Sequence, residues 1–106
     1  SCYSSTNTFV RNMRVCPQVT IMGDKTGGGS GMPFTSEMPN GWLIRFSACP
    51  MFDHEMKQIE FGIEPDIKIS MKQEDLKKNK DTLIEAARTF LTKKFADSKK
   101  STTFVI

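Results

Sequence analysis

At 106 residues, with 38% hydrophobic and 25% charged content, the chain has the composition of one small globular domain, not of a disordered or fibrous protein. Its net charge of +3 is mild, and its late lysines, Lys77, Lys78, Lys80, Lys93, Lys94, Lys99 and Lys100, stand among acids and small polar residues without interleaved aromatics, which excludes a nucleic-acid stripe. Cys2, Cys16 and Cys49 form no CxxC pair and have no histidine at ligand spacing, which excludes a zinc site, and no apolar run is long enough to span a bilayer.

No cofactor is expected. The chain opens at Ser1 with neither a methionine nor a secretory pattern and reads as a processed or truncated product. So short a chain buries a small share of its surface, so a partner surface is expected over its apolar faces.

The first predicted element is a short helix over 4–14, in which Phe9, Val10 and Met13 recur at helical spacing after a cluster of Ser, Ser, Thr and Asn with N-cap chemistry. Pro17 ends it, and Val19-Thr20-Ile21-Met22 reads as a buried strand closing at Gly23-Asp24. Residues 23–32 make a glycine-dense loop. A nucleotide-binding loop would end in Gly-Lys-Ser/Thr at a helix start, whereas this one leads into Pro33, which excludes that reading.

A β-hairpin follows, turning at Asn40-Gly41, with Trp42, Ile44 and Phe46 alternating against Leu43, Arg45 and Ser47 until Pro50. After a charged stretch holding Asp53, His54, Glu55 and Lys57, residues 60–66 turn into a short strand at Ile67-Lys68-Ile69-Ser70. The clearest helix comes last: Leu83, Ile84, Ala87, Phe90, Leu91 and Phe95 form one stripe, and Thr82 with Glu85 fits a capping box. The tail over 98–106 is polar until Phe104-Val105-Ile106 and is expected to be frayed or docked as an edge strand. No repeat or domain boundary is evident, so 1–106 is expected to be one domain.

The succession Ser4-Ser5-Thr6-Asn7, helix, strand ending Gly23-Asp24, Thr26 with glycines, Pro39-Asn40-Gly41, and Glu60-x-Gly62-Ile63-x-Pro65-Asp66 resembles the final part of the C-terminal processing (tail-specific, tricorn-core) serine peptidase family. The resemblance runs from about Ser1 to Leu91. It implies an α/β fold of the crotonase-like kind, a mixed sheet with packed helices, present here as its C-terminal portion.

In that family the nucleophilic serine opens a helix, and counting back from the Gly-Asp-x-Thr loop places it on Ser4. A serine there lies beside unsatisfied helix N–H groups, and the Ser5 amide would be one oxyanion donor. Without the family pattern, Ser4 is simply an N-cap. One branch of the family uses a lysine in the glycine loop; Gly29 stands at that place here, which points to the tricorn-like branch, in which serine, histidine and glutamate act together. Lys25, four positions earlier, is expected to be exposed and protonated, and so no base. The resemblance makes Glu60 the orienting glutamate, with Glu64 as the fallback. The family's histidine precedes the nucleophile, and His54, the one histidine present, reads as solvated, so the chain alone is expected to lack its general base.

The activity implied is hydrolysis of an extended peptide or protein by acyl transfer, with the remainder of a peptidase chain as partner. Two alternatives stand: a non-catalytic ligand-binding module, as in the retinoid-binding repeats of photoreceptor matrix that resemble the same family, and an assembly fragment that forms a homo-oligomer through exposed apolar faces. The resemblance also implies a bacterial periplasmic, envelope or secreted location.

Overall fold

A computed structural model describes residues 2–98, and the chain divides into two compact units. Of the described residues, one unit comprises those up to Val19 together with Lys25–Glu64; the other comprises Thr20–Asp24 together with those from Pro65 to Ser98.

The first unit begins with α1, Ser5–Met13, one residue shorter at each end than expected. Its buried residue is Asn7, while Phe9, placed by periodicity on the apolar stripe, is exposed. Polar contacts thus replace apolar ones at this end of the helix. The apolar core of the unit is small, with Ile59 and Ile63 as its buried hydrophobic side chains.

The hairpin forms as read, from β1, Met32–Glu37, and β2, Leu43–Cys49, paired antiparallel. The turn is closed by Met38 N–H donating to the Trp42 carbonyl and Gly41 N–H to that of Met38, each at 2.8 Å. The register puts Phe34, Ser36, Ile44 and Phe46 on one face and Pro33, Thr35, Glu37, Leu43, Arg45 and Ser47 on the other. The Phe34 and Phe46 rings meet edge to face at 5.7 Å between centroids. Every residue of both strands is nevertheless exposed.

The second unit holds a parallel pair, β3, Met22–Gly23, beside β4, Ile67–Lys68, in the register Met22 to Ile67. Both strands are shorter than the expected runs 19–22 and 67–70. The Asp66 carboxylate accepts the Ile21 N–H at 2.8 Å, while the Ile21 carbonyl accepts the Asp66 and Ile67 N–H groups, so that the chain is spent on a side-chain clamp before the ladder begins. Ser70 donates to the Asp24 carboxylate at 2.6 Å. Among the described residues the strands thus form two separate two-stranded sheets in place of one mixed sheet.

Two helices complete this unit: α2, Gln73–Lys77, unanticipated from sequence, and α3, Thr82–Ser98, which packs on β3. The capping box is corrected. Asp81 caps α3, its carboxylate accepting the Leu83 and Ile84 N–H groups at 2.9 and 3.1 Å, while the Thr82 hydroxyl accepts the Lys72 N–H and donates to Asp75. Glu85 pairs instead with Arg88 at 3.3 Å. Of the predicted stripe, Leu83, Ala87 and Phe90 are half-buried, whereas Ile84, Leu91 and Phe95 are exposed. Beyond Ser98 the expected tail lies outside the described residues. None of the described helices is long and apolar enough to cross a membrane.

Candidate functional site

The residues singled out in the first unit converge where the chain enters α1. Cys2 to Ser4 run beside the glycine loop in strand-like fashion: Gly27 N–H donates to the Cys2 carbonyl at 2.7 Å, Ser4 N–H donates to that of Gly28 at 2.8 Å, and Tyr3 and Gly28 form a parallel bridge. The chain must then turn abruptly from extended to helical. Ser4 makes that turn with φ 55° and ψ −120°, the conformation of the first central residue of a type II′ turn, which glycine adopts freely and serine does not. Holding an L-residue there costs about 1–3 kcal/mol, and such residues persist only where neighbours over-determine them.

Ser4 is exposed, and its side chain makes no capping bond to α1. The simple N-cap reading of this serine therefore finds no hydrogen bond to support it. The Ser5 amide is the first of the helix, among those a helix leaves without an internal acceptor. The Ser4 carbonyl accepts the Thr8 N–H at 3.0 Å, the first bond of the helical ladder.

The elbow rests on a buried polar network. Asn7, 0% exposed, donates through Nδ2 to the Ser30 Oγ at 2.6 Å and to the Ile59 carbonyl at 3.0 Å, and its Oδ1 accepts the Thr26 hydroxyl. Thr26 Oγ1 accepts the Ile63 N–H at 2.6 Å, and Ser30 Oγ donates to the Ser4 carbonyl at 3.3 Å. No buried side-chain nitrogen or oxygen among the described residues is left without a partner.

Two glycines allow the loops to come this close. Gly28, at φ 80°, has its carbonyl on the Ser4 N–H, and a Cβ there would overlap the Glu60 carbonyl; a Cβ at Gly62, at φ 98°, would overlap that of Thr26. The glycine loop and the 60–63 turn are thus interlocked backbone to backbone.

Glu60 lies beside the same loop. Its carboxylate accepts the Gly31 N–H at 2.8 Å and the Ser47 hydroxyl of β2 at 3.0 Å, one on each oxygen. Glu64 faces elsewhere, ion-paired with Lys25 at 3.3 Å, so the two charged alternatives to Glu60 and to a loop base are engaged with each other. A Cβ at Gly29 would stand 3.9 Å from the Ser4 nitrogen, which makes this the loop position beside the serine, and no side chain occupies it. His54 is exposed at the tip of the 51–59 loop, flanked by Asp53 and Glu55. Among the described residues no cluster of His, Cys, Asp and Glu is suited to a metal ion.

Sequence reasoning singled out Ser4 and Glu60 and passed over the hydrogen-bonded Asn7, Thr26 and Ser30 beside them. One signal was present: Asn7 stands three residues before Val10 on the face turned inward, where a residue that only packs would be apolar.

A family model described as Peptidase family S41 matches residues 1–69. A solved crystal structure from Parabacteroides merdae ATCC 43184, named as that of a peptidase, is similar to the chain at 58% sequence identity and a TM-score of 0.80, over 84% of this chain and 28% of that one. The chain therefore spans less than a third of that relative's length. No curated protein matches it.

Proposed function

Because this chain belongs to peptidase family S41, we propose that it carries the nucleophile, Ser4, of a serine peptidase that hydrolyses extended peptides by acyl transfer. The observation that carries the reading is the conformation of Ser4: an exposed hydroxyl on a strained strand-to-helix elbow, with no capping bond to account for it.

In this reading Ser4 Oγ attacks the scissile carbonyl carbon as its proton passes to a general base. The oxyanion that forms accepts the Ser5 N–H, a contribution on the order of a hundred- to a thousandfold in rate. The C–N bond then breaks, the leaving amine takes the proton back from the base, and water hydrolyses the acyl-serine with the base acting again. Glu60 is the carboxylate proposed to orient the base, already held by Gly31 and Ser47.

The base is a histidine outside these 106 residues. His54 is solvent-facing and Lys25 is paired with Glu64, while the bare Gly29 beside Ser4 supports the tricorn-like arrangement over a Ser-Lys dyad. The chain alone then lacks a contribution of about a hundred- to ten-thousandfold and is inactive. The substrate is an extended peptide entered from its C-terminus.

The test is labelling by a fluorophosphonate probe, on the chain alone and on a peptidase-length protein in which it replaces the matching segment of the Parabacteroides merdae relative. Labelling of the long protein only, lost in Ser4→Ala and kept in His54→Ala, is the expected result. Labelling that survives Ser4→Ala would move the nucleophile to another serine, and labelling that never occurs would shift the assignment to a non-catalytic binding module of the same fold.

A further inference from the structure

Asn7 is a costly choice for a wholly buried position. An amide removed from water loses stability unless each of its polar groups finds a partner, and an apolar side chain would have carried no such requirement. Here all its partners are found, and the direction of its bonds is fixed by the Ile59 carbonyl, which can only accept, and the Ile63 N–H, which can only donate.

The Thr26 hydroxyl has a single proton, which goes to Asn7 Oδ1, so its bond with the Ile63 amide must be one it accepts. That leaves Asn7 Nδ2 to donate, to Ser30 Oγ at 2.6 Å and the Ile59 carbonyl at 3.0 Å. Ser30, with a lone pair occupied by Asn7, turns its own proton to the Ser4 carbonyl at 3.3 Å. The Thr8 hydroxyl, within 3.2 Å of Ser30 Oγ and 3.4 Å of the Ser4 carbonyl, reinforces the same polarity whichever it donates to.

The Ser4 carbonyl and the Ser5 N–H belong to one planar trans peptide group and point in opposite directions. Whatever fixes the carbonyl aims the N–H, and the Ser30 hydroxyl shares that oxygen with the Thr8 N–H at 3.0 Å. A donor on the carbonyl oxygen also draws charge through the amide and makes its N–H a stronger donor. Resting on the reading of Ser4 as nucleophile and Ser5 N–H as oxyanion donor, we infer that Asn7 is a positioning residue: acting through Ser30, it aims and strengthens the Ser5 N–H, and through Thr26 it ties that aim to the Gly62-Ile63 turn.

The experiment compares Ser30→Ala and Asn7→Asp in the peptidase-length protein with a peptidyl ester substrate, and follows the Ser5 amide of the 106-residue chain by NMR. In Ser30→Ala the hydroxyl is gone; in Asn7→Asp a carboxylate accepts the Ser30 proton and turns it away from Ser4. Both are expected to lower kcat by about ten- to a hundredfold with KM within about twofold, because an interaction made in the transition state is weakened while substrate binding is not.

Both should also shift the Ser5 amide nitrogen resonance, while the strong intraresidue HN–Hα contact of a positive-φ Ser4 persists. Should Asn7→Asp fail to fold, Ser30→Ala decides alone. The inference is overturned if a folded Ser30→Ala keeps its kcat or leaves the Ser5 resonance in place. Failure of the underlying reading looks different: labelling would then be kept in Ser4→Ala or be absent throughout, whatever the Ser5 resonance does.

Discussion

Asp53 organises its loop with one carboxylate oxygen, which accepts the N–H groups of Glu55 and Lys57 at 2.9 Å each. Those two bonds, that from Lys57 foremost, hold its carboxyl below its ordinary value of 3.8 against the opposing effect of burial. A depressed folded-state pKa means that the unfolded chain binds the proton first. The stabilisation is therefore complete above pH 3.8 and is lost as the pH falls through the lower folded-state value. Urea midpoints measured from neutral pH downward should fall on acidification in the native chain and fall less steeply in Asp53→Asn; parallel curves would remove this role. The neighbouring His54 is held out in solvent by the same knot, which is why its position among charged residues in the sequence was a sound guide to its exposure. Asn7 was legible only in part, because an amide on the inner face of a helix signals a buried network without naming its partners, and those stand 19, 23 and 52 residues away.

Among the elements, the hairpin was read correctly because its information is local: the Asn40-Gly41 turn and alternation on its flanks fix its register. The parallel pair of β3 and β4 was legible only as two apolar runs. Its register joins residues 45 apart in sequence, and its length is set by the Asp66 clamp on Ile21, which no periodicity encodes. The start of α3 shows how a local signal can be right in kind and wrong by one place. Asp81 and Thr82 are both competent caps, and the choice falls to Asp81 because the Thr82 hydroxyl is committed to Lys72 and Asp75. Asp81→Ala should accordingly cost about 1 kcal/mol in urea unfolding followed by far-UV circular dichroism. An unchanged midpoint would return the cap to Thr82.

At the scale of the whole molecule, the main imbalance is between a small apolar core and the apolar surface left outside. Phe34, Ile44 and Phe46 share one exposed face of the hairpin, and Trp42, 70% exposed, stands beside the turn. A two-stranded hairpin gains little stability by itself, and a contiguous apolar face of this kind marks a surface that associates. Trp42 is the one tryptophan, so its emission reports on the turn end of the hairpin. In dilute solution its emission should be that of a water-exposed indole, freely quenched by acrylamide. A blue-shifted, shielded emission that relaxes on dilution would show instead that a second copy covers that end.

The elbow at Ser4 sets two requirements against each other at a single carbon. Its dihedral angles suit a residue without a side chain, whereas the nucleophilic attack proposed for it needs the hydroxymethyl group that makes those angles costly. Replacement by glycine would relax the turn and disarm it in the same step. On the proposed reading of Ser4 as nucleophile, selection for thermal robustness and selection for turnover pull this position in opposite directions.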